Sequence, residues 1–155
     1  MNTQTERTSA PTEAKTHEEA RAAQRLALDG RRLKELVRAG YLWLRQHEAV
    51  VNSYNVYPVP DGDTGTNMMH TMRSAWEAIA KLDDPNISVV AKAASNGALR
   101  GSRGNSGIIL SQLWRGFTRS LENKDVCDAQ DLAAAFQEAV RTAYAGVGMP
   151  EEGTM

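Results

Sequence analysis

Asn55-Val-Tyr-Pro-Val-Pro-Asp-Gly-Asp-Thr-Gly-Thr-Asn-Met68 changes character at its midpoint. Pro58 and Pro60 cannot donate backbone hydrogen bonds, and each pushes the residue before it toward extended conformations. The first half therefore predicts a stiff, non-helical rod. Asp61-Gly62-Asp63 follows it. A helix is then expected from Thr64–Thr66 to about Lys81, where Met68, Met72, Ala75, Trp76 and Ile79 recur at helical spacing.

The same periodicity extends in both directions. Upstream, Leu33, Leu36, Val37, Tyr41 and Leu44 form an apolar stripe on a helix predicted from about Asp29 to His47, with Asp29 as N-cap. Downstream, Asp83-Asp84-Pro85-Asn86 reads as a turn, and Ser88 as the cap of a small-residue helix from Val89 to Leu99. Gly101-Ser-Arg-Gly-Asn-Ser-Gly107 is expected to interrupt the chain and open a fourth helix from Ile108 to about Leu121. Asp128 caps a fifth, which carries Leu132, Ala135, Phe136, Ala139, Val140 and Tyr144 at helical spacing. Met149-Pro-Glu-Glu-Gly-Thr-Met155 reads as a loop. No segment alternates for long in the manner of a strand, so the fold class is all-α, with at least five helices.

At 155 residues, this is one domain of a size that buries a real core. Eighteen basic against nineteen acidic side chains leave a net charge of −1, which gives the chain as a whole no electrostatic reason to seek nucleic acid or an anionic membrane. No apolar run approaches the roughly 18 residues of a membrane span. Residues 1–20 mix glutamates with threonine and alanine, lack the apolar core of a signal peptide, and predict a disordered leader before a domain over 21–155. Cys127 is the single cysteine, excluding an internal disulfide or a Cys-based zinc site and fitting a free thiol in a cytoplasmic protein.

Asp61 and Asp63 are candidate ligands for a hard cation. Two carboxylates one residue apart, with Gly62 allowing a tight bend, can both face one Mg²⁺, which shares its shell with waters and phosphates. Asn55 offers a further neutral oxygen. A plain Asp-Gly turn capped by Asp63 is the competing reading. An EF-hand is excluded, because Thr66 and Met72 stand where that loop needs Gly and Glu. Thr64, Thr66 and Asn67 crowd the helix start, as ordinary capping residues or as phosphate contacts.

Gly101, Gly104 and Gly107, with Ser102, Arg103, Asn105 and Ser106 between them, form a second candidate. Small residues let backbone N–H groups converge on an anion at a helix N-terminus. The pattern is not a Walker A loop, a dinucleotide fingerprint or a nucleophile elbow, and a simple helix–helix turn competes with it. Arg103 could steady transferring charge or make a surface ion pair. His70, near the acidic bend, reads more simply as a packed histidine than as a catalytic one.

The Asn55–Met68 stretch closely resembles the signature of the DhaL-type domain, the ATP-binding domain of dihydroxyacetone kinases, and in particular the version in the bacterial fatty acid kinase A subunit. Gly101-Ser-Arg-Gly-Asn-Ser-Gly-Ile-Ile-Leu-Ser-Gln112 is similar to that family's second block, and Pro150–Met155 to its third. The resemblance covers about Leu28 to Met155. It implies an antiparallel barrel of eight helices that holds ATP or ADP and two Mg²⁺ at one end. It also implies metal ligation by Asp61, Asp63 and, by position, Asn55. Nucleotide contacts are implied for Thr64, Thr66, Asn67, Gly104, Asn105, Ser106 and Gly107, with Met155 near the base. Asn55 stands where the dihydroxyacetone kinase branch has a third Asp, which favours the fatty acid branch. The family domain continues past the Gly-Thr-Met155 turn. The chain is thus expected to be a fragment lacking the last helices, with an exposed apolar seam that leads to partner pairing, as in a homodimer, or to instability.

The implied activity is ATP-dependent phosphoryl transfer to a fatty acid held on a carrier protein. A dihydroxyacetone kinase subunit and a catalytically silent nucleotide-binding scaffold remain alternatives.

Overall fold

The computed structural model describes residues 27–56 and 60–147. The leader at 1–20, Pro58 in the rod, and the Met149–Met155 loop, including Met155, lie outside the described residues.

Six helices make up the described chain: α1 Gly30–Gln46, α2 Glu48–Ser53, α3 Thr64–Ile79, α4 Ile87–Gly101, α5 Gly104–Ser120 and α6 Ala129–Gly146. The all-α expectation holds. Among the described residues, the extended pairing is one isolated antiparallel bridge, in which Leu28 and Cys127 exchange backbone bonds of 2.8 Å each.

Asp29 caps α1 as expected, its carboxylate accepting from the Arg32 N–H at 2.8 Å. α4 starts two residues before the predicted start at Val89. Asn86 is its cap, accepting from the Val89 N–H at 3.2 Å, and Ser88 lies inside the first turn. α2 was not expected; it is a six-residue helix without an apolar face long enough to show periodicity. The glycine-rich segment is not the interruption expected either. Gly101 still belongs to α4 and Gly104 already to α5, so Ser102 and Arg103 alone join them.

α4 lies at the centre. Ile87, Val90, Ala91, Ala94 and Ala98 are completely buried along its length, packing with Leu33 and Val37 of α1, Ala75 and Ile79 of α3 and Phe117 of α5. Small residues bring the helices close. A Cβ on Gly97 would fall 2.4 Å from the Ser74 carbonyl of α3, and one on Gly116 the same distance from the Glu138 carbonyl of α6. Full burial of a side chain such as Ile79 or Ile87 stabilises the fold by about 1.5–3 kcal/mol each. Four residues of the apolar patterns stay out of the core: Leu36, Phe136, Val140 and Tyr144 are exposed, because α1 and α6 have neighbours on a narrower arc than their apolar stripes.

The contacts also fix directions. Ser74 meets Gly101 and Ala78 meets Gly97, so α3 and α4 are antiparallel. Thr64 meets Ser106, Thr71 meets Gly107 and Met72 meets Trp114, so α3 and α5 run parallel. Up, down and up again through a two-residue link sets the N-termini of α3 and α5 side by side.

Candidate functional site

The acidic bend and the glycine-rich link, about forty residues apart in sequence, meet at these paired N-termini. Ser106 Oγ donates to Thr64 Oγ1 at 3.4 Å. Gly104 sits against Asn67, so close that a Cβ there would fall 2.3 Å from the amide nitrogen. Gly104 also has φ +59°, a conformation that costs any other residue strain. Gly62 has φ +67° with open space around it, so conformation alone requires glycine at that position.

Asp61 and Asp63 flank Gly62, and both are exposed. Asn55 Nδ2 donates to Asp61 Oδ1 at 2.5 Å, which brings the third candidate ligand to the first. Asp63 occupies the N-cap position of α3 but makes no side-chain cap bond; among the described residues only its carbonyl is engaged, by the Asn67 N–H at 2.8 Å. The capped-turn reading of Asp63 therefore lacks the bond that defines it. Its carboxylate is held at a helix end without structural work.

The candidate phosphate contacts divide into two groups. Thr66 is engaged internally: its hydroxyl donates to Glu48 Oε1 at 2.6 Å and accepts from Asn52 Nδ2 at 3.0 Å, and its N–H donates to Asn52 Oδ1 at 3.1 Å. Asn67 is buried beneath Gly104. These two build the floor of the corner. Thr64, Asn105, Ser106 and Arg103 line its rim. Arg103 is exposed, and its guanidinium donates to the Ser102 carbonyl at 3.0 Å. Gly107 packs on Thr71, and His70 is half-buried on α3. Glu48 and Asn52 were not anticipated as site residues. Their only sequence signal is an acid and an amide four residues apart just before the rod.

The first-turn N–H groups of α5 have no intrahelical acceptor, and the first such bond is Gly107 N–H to the Arg103 carbonyl at 3.1 Å. Two parallel helix ends together attract negative charge. The two carboxylates oppose an anion unless a cation lies between. Among the described residues no three His, Cys, Asp or Glu side chains gather as a metal group. A two-carboxylate set does not suit zinc. It does suit Mg²⁺, which takes one or two carboxylates and completes its shell with water and substrate phosphates.

Cys127 is buried, and burial pushes its thiol pKa up, as expected of an inert free thiol. Among the described residues, no helix is long and apolar enough to cross a membrane.

The family model described as DAK2 domain, the DhaL-type domain, matches residues 58–155. Over 128 residues the chain is 48% identical to Protein YloV of Bacillus subtilis. Over the same length it is 47% identical to an uncharacterized protein of Staphylococcus saprophyticus and 44% identical to one of Staphylococcus aureus. Each alignment takes in 83% of this chain but 23% of the relative, so the chain spans under a quarter of the length of these proteins.

Proposed function

Because the chain belongs to the DAK2 domain family, whose members are nucleotide-binding and kinase-associated, we propose that its paired helix ends bind Mg-ATP for phosphoryl transfer. One observation carries the reading: the Asp63 carboxylate sits at a helix N-terminus beside Asp61 and caps nothing. In this proposal Asp61, Asp63 and the Asn55 side-chain oxygen hold Mg²⁺, two ions in all, which neutralise phosphate charge. The N–H groups of Gly104, Asn105 and Ser106, with the Thr64 and Ser106 hydroxyls, hold the phosphates. Gly107 allows the close packing beneath them, and Thr66 and Asn67 fix the floor. Arg103, at the rim, steadies the transferred group. Phosphoryl transfer asks little beyond such positioning and charge neutralisation.

The acceptor in this reading is a fatty acid on a separate carrier protein, in the cytoplasm. Its support is Asn55 in place of a third aspartate, and a carboxylate acceptor needs no general base. A homodimer covering the exposed Phe136, Val140 and Tyr144 flank of α6 belongs to the same proposal.

Asp61→Ala/Asp63→Ala is expected to abolish Mg²⁺-dependent ATP binding in calorimetry while leaving helix content and apo stability unchanged. Unchanged affinity for Mg-ATP overturns the metal assignment. Assays of phosphoryl transfer to carrier-bound fatty acid and to dihydroxyacetone then separate the acceptors, and transfer to neither supports a silent scaffold.

A further inference from the structure

Away from the paired N-termini, α5 and α6 leave a groove of about 570 Å³ between their outer faces. Arg115 and Arg119 line it from α5, Arg141 and Glu138 from α6. Three guanidiniums less one carboxylate leave two positive charges there, in a chain whose net charge is −1. Glu138 is the least exposed of the charged pairs, its side chain 21% accessible against 74% for Arg141. One of its oxygens takes Arg119, which also reaches Thr142 Oγ1 at 3.2 Å, and the other takes Arg141 at 3.3 Å. The carboxylate acts as a post that holds two guanidiniums upright. Arg115 has no hydrogen-bond or ion-pair partner among the described residues.

Surface ion pairs contribute little to stability, about 0–1 kcal/mol. A purely structural pair needs one arginine, whereas this groove carries three and leaves most of their donors unused. Guanidiniums in such an array recognise carboxylates or phosphates. The spacing discriminates between the two. A compact phosphate drawn to the focus of Arg119 and Arg141 leaves Arg115, one turn away on α5, unused. Arg115 and Arg119, by contrast, stand one helical turn apart, roughly 6 Å along the axis, matching carboxylates four residues apart on another helix.

We propose that the α5–α6 groove docks an acidic helical segment of a protein partner, its Asp or Glu side chains one turn apart on Arg115 and Arg119, with Arg141 closing over them from α6. Gln112, at the near end of the groove, is roughly 9 Å along α5 from Ser106, so the docked partner stands beside the paired N-termini. The proposal holds whether or not that corner transfers phosphate.

The test is fluorescence anisotropy with the full chain and a labelled helical peptide carrying Glu at positions four apart. Wild type should bind it in a salt-sensitive manner, and Arg115→Glu/Arg141→Glu should bind at least tenfold more weakly. The same variant should gain affinity for the peptide's lysine counterpart. Both side chains are exposed, and Arg119 is left in place to keep the Glu138 contact. Arg115→Gln, expected to weaken binding severalfold, serves as the milder second variant. Equal peptide binding by wild type and both variants overturns the proposal, as does no binding by wild type. Competition by inorganic phosphate as effective as the peptide's own overturns it in favour of a compact anion. Binding of anionic lipid vesicles in place of the peptide overturns it in favour of a membrane surface.

Discussion

Asp63 and Asp128 are the same residue at the same position of two helices, and the protein uses them differently. Asp128 accepts from the Asp131 N–H at 2.8 Å while the Asp131 carboxylate accepts in return from the Asp128 N–H, a closed capping box at the start of α6. Lys124 adds an ion pair to Asp131 at 2.8 Å. Asp63, at the start of α3, makes no such bond. At the Asp128 end, side-chain polar groups answer one another. At the Asp63 corner, two carboxylates and the open first turn of α5 face outward together. A carboxylate with no partner among the described residues, at a helix end, is where a ligand's contribution would enter.

The largest change is Gly104→Val, which tests whether the open corner is also loosely built. A β-branched residue at φ +59° is strained, and its Cβ would press on Asn67, so we expect a loss of about 2–4 kcal/mol in a urea melt. Tolerance of valine would mean that the corner is soft. The same result shows why this substitution cannot report on phosphate contacts alone; Ser106→Ala is the cleaner variant for that purpose.

The next contrast is direct. Asp128→Ala should cost about 1 kcal/mol, the usual value of an N-cap, whereas Asp63→Ala should stay within about 0.5 kcal/mol of wild type. Equal losses in thermal melts would erase the distinction between the two ends.

The smallest effect is the acid response. The hydrogen bond from Lys124 is the main cause holding the Asp131 carboxyl below its ordinary range. A depressed folded pKa contributes stability that is fully present above the ordinary carboxyl value, about 4, and is lost as pH falls below it. Asp131→Asn should flatten that part of the stability profile between roughly pH 5 and 3, measured by urea melts against wild type. Glu138, depressed chiefly by the hydrogen bond from Arg119, should preserve a remaining slope in the variant.

The sequence alone determined the features that close within one turn of chain. Asp29 and Asp128 cap the helices assigned to them, the apolar periodicity locates five of the six helices, and Gly62 between two aspartates marks a bend that only its own backbone requires. These are local effects, decided by 3.6-residue spacing, capping and φ preference. Tertiary structure decided the rest, because those outcomes rest on partners far along the chain. Asn86 rather than Ser88 starts α4, because Asp125 accepts from the Asn86 amide at 2.5 Å and its carbonyl from the Ile87 N–H at 3.0 Å, holding the first turn from 39 residues away. Thr66 joins the floor because Glu48 and Asn52 reach it from a helix too short to show periodicity. Phe136, Val140 and Tyr144 have helical spacing, but spacing cannot say how many neighbours a helix will have. The corner itself exists because α3 and α5 run parallel, and only the packing of three helices on α4's small-residue faces sets two distant N-termini side by side.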